Sequence, residues 1–342
     1  MTETSLQHDE PVVIPARSFG KQVRSMAGYT IVTALMFVSP LFVFLPASLF
    51  HCGIRNGRRA AWLLLVLSVT IAALLIFPAS ATASNAEAAM SYGYLLGLFL
   101  SIAVPAVAVL PMVERDEKFG NVLIYALVLG SIGLVVTELT MRVVRGFSPY
   151  AAHFADMSDM ASKVLVSYRN AGIPSDSLHT LRKMMDLILY CLSAGLLIDV
   201  AIAFVFSLVM LGRLRAWRDV ALRQKAPAAS PYRFRNLSLP EWLPVLFVLG
   251  GLSPLTTGMT QQVGANVLAM VSFLYFLQGL AIFRSFVVAT GAGFLGSLFA
   301  WVVVLTLFVI TFPLLCLAGL FDSFFDFRHF NRKDHSDESH SH

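Results

Sequence analysis

The chain has 342 residues, of which 57% are hydrophobic and only 13% charged, against roughly 25% charged in an ordinary soluble domain. So few charges cannot cover a water-soluble surface, which excludes a soluble enzyme, a disordered chain and a nucleic-acid-binding domain. The formal net charge of +5 is spread over loops between apolar runs and indicates no nucleic-acid partner.

Residues 1–26 form a polar N-terminal tail, with Pro11 and Pro15 interrupting any long helix and Arg17, Lys21 and Arg24 preceding the first apolar run. That run is too long for a signal-peptide core and is read as an uncleaved membrane segment. Apolar segments follow at 27–50, 60–80, 90–112, 121–145, 186–212, 243–260, 263–283 and 292–320. Most can cross a hydrocarbon core of about 30 Å at about 1.5 Å per residue. Uniformly apolar runs of this length indicate helices, because a membrane strand would be about 10 residues with strict alternation. The expectation is an all-α polytopic membrane helix bundle, with about eight hydrophobic segments in a transmembrane domain over 27–320.

The first and sixth segments are expected to be broken or re-entrant. The first carries Pro40 and Pro46; the sixth carries Gly250, Gly251, Pro254 and Gly258. The eighth carries Pro313 and is long enough to tilt or kink.

Two loops are long, 146–185 and 213–242. In the first, Met157, Met160, Val164 and Tyr168 recur at helical spacing until Gly172 and Pro174 stop them. Ser175 then opens a second helix through Leu178, Leu181 and Met185. This pair reads either as an amphipathic lid at the membrane surface or as a connector packed on the bundle. The loop 213–242 holds the densest basic run, Arg213, Arg215, Arg218, Arg223, Lys225, Arg233 and Arg235, and suits anionic lipid or a membrane or cytoplasmic partner protein. If all eight segments cross, Lys and Arg divide almost evenly between the two faces, and charge alone does not orient the bundle. Folding segment 27–50 back at Pro40 and Pro46 would place Arg17, Lys21 and Arg24 beside the basic loop, in the cytoplasm.

An ionisable group inside a membrane helix costs about 2.5–3.5 kcal/mol at mid-span on insertion scales. Asp199 lies at the centre of 186–212 among Leu196, Leu197, Ile198, Val200 and Ile202. It reads either as a ligand, proton or cation site, or as a hydrogen-bonding tie between helices. Glu138 has Arg142 one turn on, so a local structural ion pair is expected. Asn266 and Gln278 lie on the seventh segment, after a break marked by Ser253, Pro254, Thr256 and Thr257. Broken helices at depth need a protein or cavity environment, and transporters bind solutes at them. A ligand-binding pocket of Asp199, Asn266, Gln278, Thr256 and Thr257 is the sharpest site expectation.

Other patterns carry less. Gly291, Gly293 and Gly296 match a nucleotide-binding fingerprint by letter but open a membrane helix without a preceding strand. Cys52, Cys191 and Cys316 are scattered and read as packing residues, with no metal site. His335, His340 and His342 lie in the polar tail. No catalytic constellation stands in a fitting context, so neither an enzyme nor a cofactor is expected.

The stretches Phe234-Arg-Asn-Leu-Ser-Leu-Pro240-Glu-Trp-Leu-Pro244, Asn266-Val-Leu, Tyr275-Phe-Leu-Gln278-Gly279-Leu-Ala and Leu317-Ala-Gly319-Leu-Phe-Asp322-Ser-Phe-Phe-Asp326-Phe-Arg328 resemble bacterial multi-pass membrane proteins of unknown-function family 2232, the YybS-like proteins. Phe44-Leu-Pro46 followed by Gly57-Arg-Arg-Ala is similar to that family's opening. The resemblance implies a plasma-membrane protein and no reaction. The opening also looks, distantly, like substrate-binding subunits of energy-coupling-factor vitamin transporters, which implies a small-molecule solute. Asp322, Asp326 and Arg328 sit among phenylalanines in the end 321–342, which reads as a membrane-interface anchor followed by a disordered tail, or as a docking surface. Two functions are carried forward: a small-solute binding or transport component, and a structural or scaffolding envelope protein.

Overall fold

The computed structural model describes residues 19–82, 85–213, 232–291 and 293–325. Among these residues there are helices and turns and no strand. Six helices are long and apolar enough to cross a membrane, and three shorter apolar helices accompany them. The chain is therefore an all-helical, multi-pass membrane protein whose outward apolar faces meet the lipid bilayer.

The first apolar segment is a helical hairpin. Helix α1 (Phe19–Phe37) begins inside the stretch read as a polar tail and stops before Ser39 and Pro40, where a 3-10 turn (Pro40–Phe44) follows. Pro40 lacks the N–H that would continue α1, and the Ser39 side chain caps the turn at Leu41 N. Helix α2 (Leu45–Asn56) then runs back along α1. The contacts fix the direction: Thr33 Oγ1 meets Ser48 Oγ at 2.9 Å, and Asn56 Nδ2 approaches Met26 Sδ at 3.9 Å. Gly57, at φ +92°, closes the turn into α3 (Arg58–Thr82), a backbone state that favours glycine.

Helix α4 (Asn85–Leu98) passes through a π turn (Phe99–Ala103) into α5 (Val104–Glu114). Pro105 cannot donate to Ser101 O, and the helix widens just before it. Helix α6 (Phe119–Arg145) returns. Helices α7 (Pro149–Asn170) and α8 (Ser175–Tyr190) form a second hairpin, and neither buries a residue. The fifth apolar segment therefore divides, its first residues ending α8 and the rest forming α9 (Leu192–Arg213).

The sixth segment is broken as its glycines and proline require. Helix α10 (Leu243–Gly251) gives way to a 3-10 turn (Ser253–Leu255) before α11 (Gly258–Ala289). In the eighth segment the break falls at Leu307, between α12 (Phe294–Thr306) and α13 (Phe308–Phe325), and Pro313 is carried inside α13. Thr311 Oγ1 donates towards Val304 O at 2.9 Å, which satisfies a carbonyl at the break. The core is one apolar cluster that includes Phe37, Phe50, Leu64, Leu110, Phe204 and Tyr275. Between membrane helices such cores hold by close packing, because lipid tails are as apolar as leucine.

One end of the bundle is tied by polar contacts. Arg58 Nε donates to Glu114 Oε2 at 2.8 Å, joining the start of α3 to the end of α5. Fully buried Tyr232 stacks edge-on against Phe119, with centroids 5.9 Å apart, and donates to Glu117 O at 3.2 Å. Burial, then the neighbouring Asp116 and Glu117 charges, holds its hydroxyl in the protonated form far above neutral pH.

In the connecting turn, Asp116 adopts φ +56° and its buried Oδ1 has no partner among the described residues. Burial raises its carboxyl above the ordinary value. A raised acid disfavours the fold as pH rises through the native value and ceases to do so below the unfolded one. Asp116→Asn, which tolerates the same backbone state, should therefore raise the thermal midpoint at neutral pH. The gain should vanish as pH falls below the carboxyl's ordinary range, checked by thermal unfolding of the detergent-solubilised protein across pH.

Candidate functional site

Gln278 lies past the midpoint of the 32-residue α11 and is 1% exposed. Its amide is used at both ends. Oε1 accepts from Leu239 N at 3.0 Å, and Nε2 donates to Asp322 Oδ2 at 2.9 Å. Three elements distant in sequence meet here: the extended segment before α10, the middle of α11 and the C-terminal part of α13. Asp322 is itself 7% exposed. An isolated buried carboxylate is expensive, and here it accepts from an amide. Around it lie Tyr275, fully buried, and the adjoining Ser323.

The junction needs close backbones. A Cβ at Gly279 would fall 1.9 Å from Leu315 O, and one at Gly319 would fall 2.1 Å from Tyr275 O. Only glycine lets α11 and α13 approach so closely, the small-residue packing of membrane helices. A Cβ at Gly120 would fall 2.0 Å from Ser238 O, so α6 presses equally hard on the segment that delivers Leu239.

Asn266 works elsewhere on α11. Its Oδ1 accepts from Ala194 N at 2.8 Å and its Nδ2 donates to Tyr190 O at 3.1 Å. Both are orphan backbone groups at the α8–α9 break, which this one amide satisfies. Thr256 Oγ1 donates to Ser253 O at 2.8 Å and closes the break before α11. Thr257 is exposed and precedes the first turn of α11.

At the end of the bundle where α7 begins, a second polar set gathers. Arg142 Nε donates to Glu138 Oε1, and so does Ser148 Oγ. Glu138 Oε2 also accepts from Tyr150 N at 3.1 Å. A carboxylate from α6 thus caps the N-terminus of α7, where the helix dipole favours negative charge. Ser193 Oγ donates to Tyr150 OH at 3.3 Å, joining α9 to the same turn. The hairpin α7–α8 is rooted in the bundle at these points.

Asp199 is exposed although it lies about 10 Å along the apolar helix α9 from Leu192, at about 1.5 Å per residue. It takes part in no hydrogen bond or ion pair among the described residues. Its electrostatic neighbours are Tyr94 of α4 and His153 of α7. Tyr94 is half exposed and His153 half buried. Asp199, Tyr94 and His153 are thus within electrostatic range of one another, on α9, α4 and α7.

A family model described as a predicted membrane protein, DUF2232, matches residues 29–323. The chain belongs to this family. The DUF2232 match takes in Leu239, Gln278 and Asp322 and ends one residue beyond Asp322. Three of the stretches that carry the DUF2232 resemblance, those around Leu239, Gln278 and Asp322, converge on the Gln278 amide, whereas the Asn266 stretch meets the α8–α9 break. No curated protein and no solved structure matches the chain. The likeness of its opening to energy-coupling-factor subunits finds no support there.

The expected site residues thus fall into separate groups. Gln278 goes with Asp322, Asn266 with the α8–α9 break, and Asp199 with Tyr94 and His153. Asp326 and Arg328 lie outside the described residues, as do 214–231 of the basic loop. Sequence reasoning passed over Tyr94 and His153. A signal for His153 was present: Tyr150, His153 and Met157 recur at three and four, marking the face of α7 that is least exposed.

Proposed function

We propose that this DUF2232 protein is a small-solute binding or transport component of the bacterial plasma membrane. The observation that carries the reading is Asp199, an exposed carboxylate partway along a membrane helix. Such a group stands against lipid only at high cost, and intramembrane carboxylates mark solute and ion paths. Tyr94 and His153, within electrostatic range of Asp199, give it polar neighbours on α4 and α7.

The orientation proposed is cytoplasmic for the end bearing Arg58, Tyr232 and Arg213. The contacts Arg58–Glu114, Tyr232–Glu117 and Asn56–Met26 bring the basic turns, the basic loop's exit and the start of the first hairpin to one end, as the positive-inside rule favours. Single cysteines at Ser18 and Ser230, in a background without the native cysteines, should label from the same face. Labelling from opposite faces overturns this orientation.

Asp199→Asn tests the function. The wild type, purified in mild detergent, should retain a small molecule detectable by mass spectrometry after denaturation, and cells expressing it should accumulate that molecule. The folded variant should lose at least tenfold of both. Equal retention and uptake by a folded variant overturns the reading. The scaffolding alternative is favoured by one observation: α7 and α8 bury nothing while exposing Met160, Val164, Met184 and Leu187.

A further inference from the structure

Arg284 is the only charged residue between Glu241 and Asp322, a stretch that takes in α10, α11, α12 and most of α13. It lies on α11 about 9 Å beyond Gln278, at about 1.5 Å per residue. Gln278 already holds Leu239, and the neighbouring Ser238 presses on Gly120 at the start of α6. Arg284 therefore stands towards the end of the bundle that bears Tyr232, where a long cationic side chain can reach the headgroup level. Arg58 and Arg142 each pair with a carboxylate, Glu114 and Glu138. Arg284 pairs with none among the described residues. Its Nη1 donates to Ser297 Oγ on α12 at 3.0 Å, an acceptor that balances no charge.

We infer that Arg284 and Ser297 hold the phosphate of an anionic phospholipid. The planar guanidinium carries five N–H donors, of which this bond uses one, and its fork matches two phosphate oxygens. The Ser297 hydroxyl accepts from Arg284 and keeps its own proton to donate to the same phosphate. The pair is fixed in place, because Phe283 beside Arg284 packs edge-on against Trp301 of α12, with centroids 5.6 Å apart. Tryptophan is itself a residue of the headgroup level. The surroundings favour a lipid over a free ion. Phe294, Leu295 and Leu298 around Ser297 are exposed, and α12 buries only Val304. Acyl chains suit these side chains, whereas inorganic phosphate would lose water beside them and gain nothing. A zwitterionic headgroup brings an ammonium that Arg284 repels, so the site selects net negative charge. This inference goes beyond the solute reading and does not depend on Asp199.

The test is native mass spectrometry of the full chain in detergent micelles, titrated with dioleoylphosphatidylglycerol or dioleoylphosphatidylcholine. At its tightest site the wild type should prefer phosphatidylglycerol by about fivefold, the weight of one arginine beside anionic lipid. Arg284→Gln should lose that preference. Ser297→Asp, which keeps Arg284 and gives it a carboxylate partner, should lose it as well, so the inference stays testable should one variant fail to fold. Inorganic phosphate at the same concentration should not displace the lipid. Equal retention of the two lipids by folded wild type, an undiminished preference in either folded variant, or displacement by inorganic phosphate overturns the inference.

Discussion

Gln278→Leu is expected to destabilise the protein by about 2–5 kcal/mol, with the fold unchanged up to the transition. Leucine is close in volume, so the loss is polar. The Leu239 N–H loses its acceptor and the Asp322 carboxyl loses an amide donor. A buried group left unsatisfied costs about 1–3 kcal/mol, and more when charged. The Gln278 environment is 1% exposed, so water does not replace the lost bonds. Asp322→Asn provides the contrast. Its side-chain oxygen still accepts from Gln278 Nε2, and the change should cost under about 1 kcal/mol on the neutral-bond scale. Buried Cys52 and Cys316 serve as reporters, because a thiol-reactive fluorophore reaches them only on unfolding. If Gln278→Leu melts with the wild type in that assay, the junction does not hold the three elements together.

That junction shows where sequence reading stops. The break at Pro40, the break around Pro254 and the two helices inside 146–185 follow from backbone chemistry that acts within a few residues, and all were legible. So was the membrane class, which rests on charge and run length alone. The kink in the last segment was legible as a possibility and not as a place. Pro313 is the obvious breaker, yet α13 carries it and the chain breaks at Leu307, where Thr311 can satisfy a freed carbonyl. Asp322 shows the limit most clearly. Beside Phe321, Phe324 and Phe325 it looks like an interfacial acid, whereas its partner stands 44 residues away on α11. Hydropathy carries no information about which face of one span meets which face of another. Asn266 and Gln278 were expected to line a ligand pocket with Asp199, and the partners they have, backbone groups at a break and in an extended segment, carry no side-chain signature at all. His153 hid for a related reason: it lies outside every apolar run, and only the docking of the first turn of α7 brings it near Asp199.

The larger effect is expected at Gly279. Gly279→Ala would place a methyl 1.9 Å from Leu315 O, where a carbon and a carbonyl oxygen rest at about 3.3–3.6 Å. The contact partner is backbone inside α13 and cannot rotate away, so α11 and α13 must separate by more than 1 Å on the order of that shortfall. A gap of about 0.5–1 Å already forfeits a quarter to a half of each dispersion contact. Along this pair those contacts include Phe276 with Phe312, whose centroids are 4.8 Å apart, and the Gln278–Asp322 bond one residue away. Helix propensity acts in the opposite direction, since alanine exceeds glycine by about 0.8–1 kcal/mol in a helix interior. Gly195 isolates that term. It lies in α9 with nothing within 4 Å of a built Cβ, so Gly195→Ala should be neutral or slightly stabilising. Gly279→Ala should cost about 3 kcal/mol or more, beyond the usual overpacking range of about 1–3 because backbone meets backbone. Gly279→Val should leave no folded protein to purify. Parallel thermal unfolding of the two alanine variants reads the sign directly. If both shift upward together, α11 and α13 do not cross at Gly279, and the route by which Leu239, Gln278 and Asp322 meet is wrong.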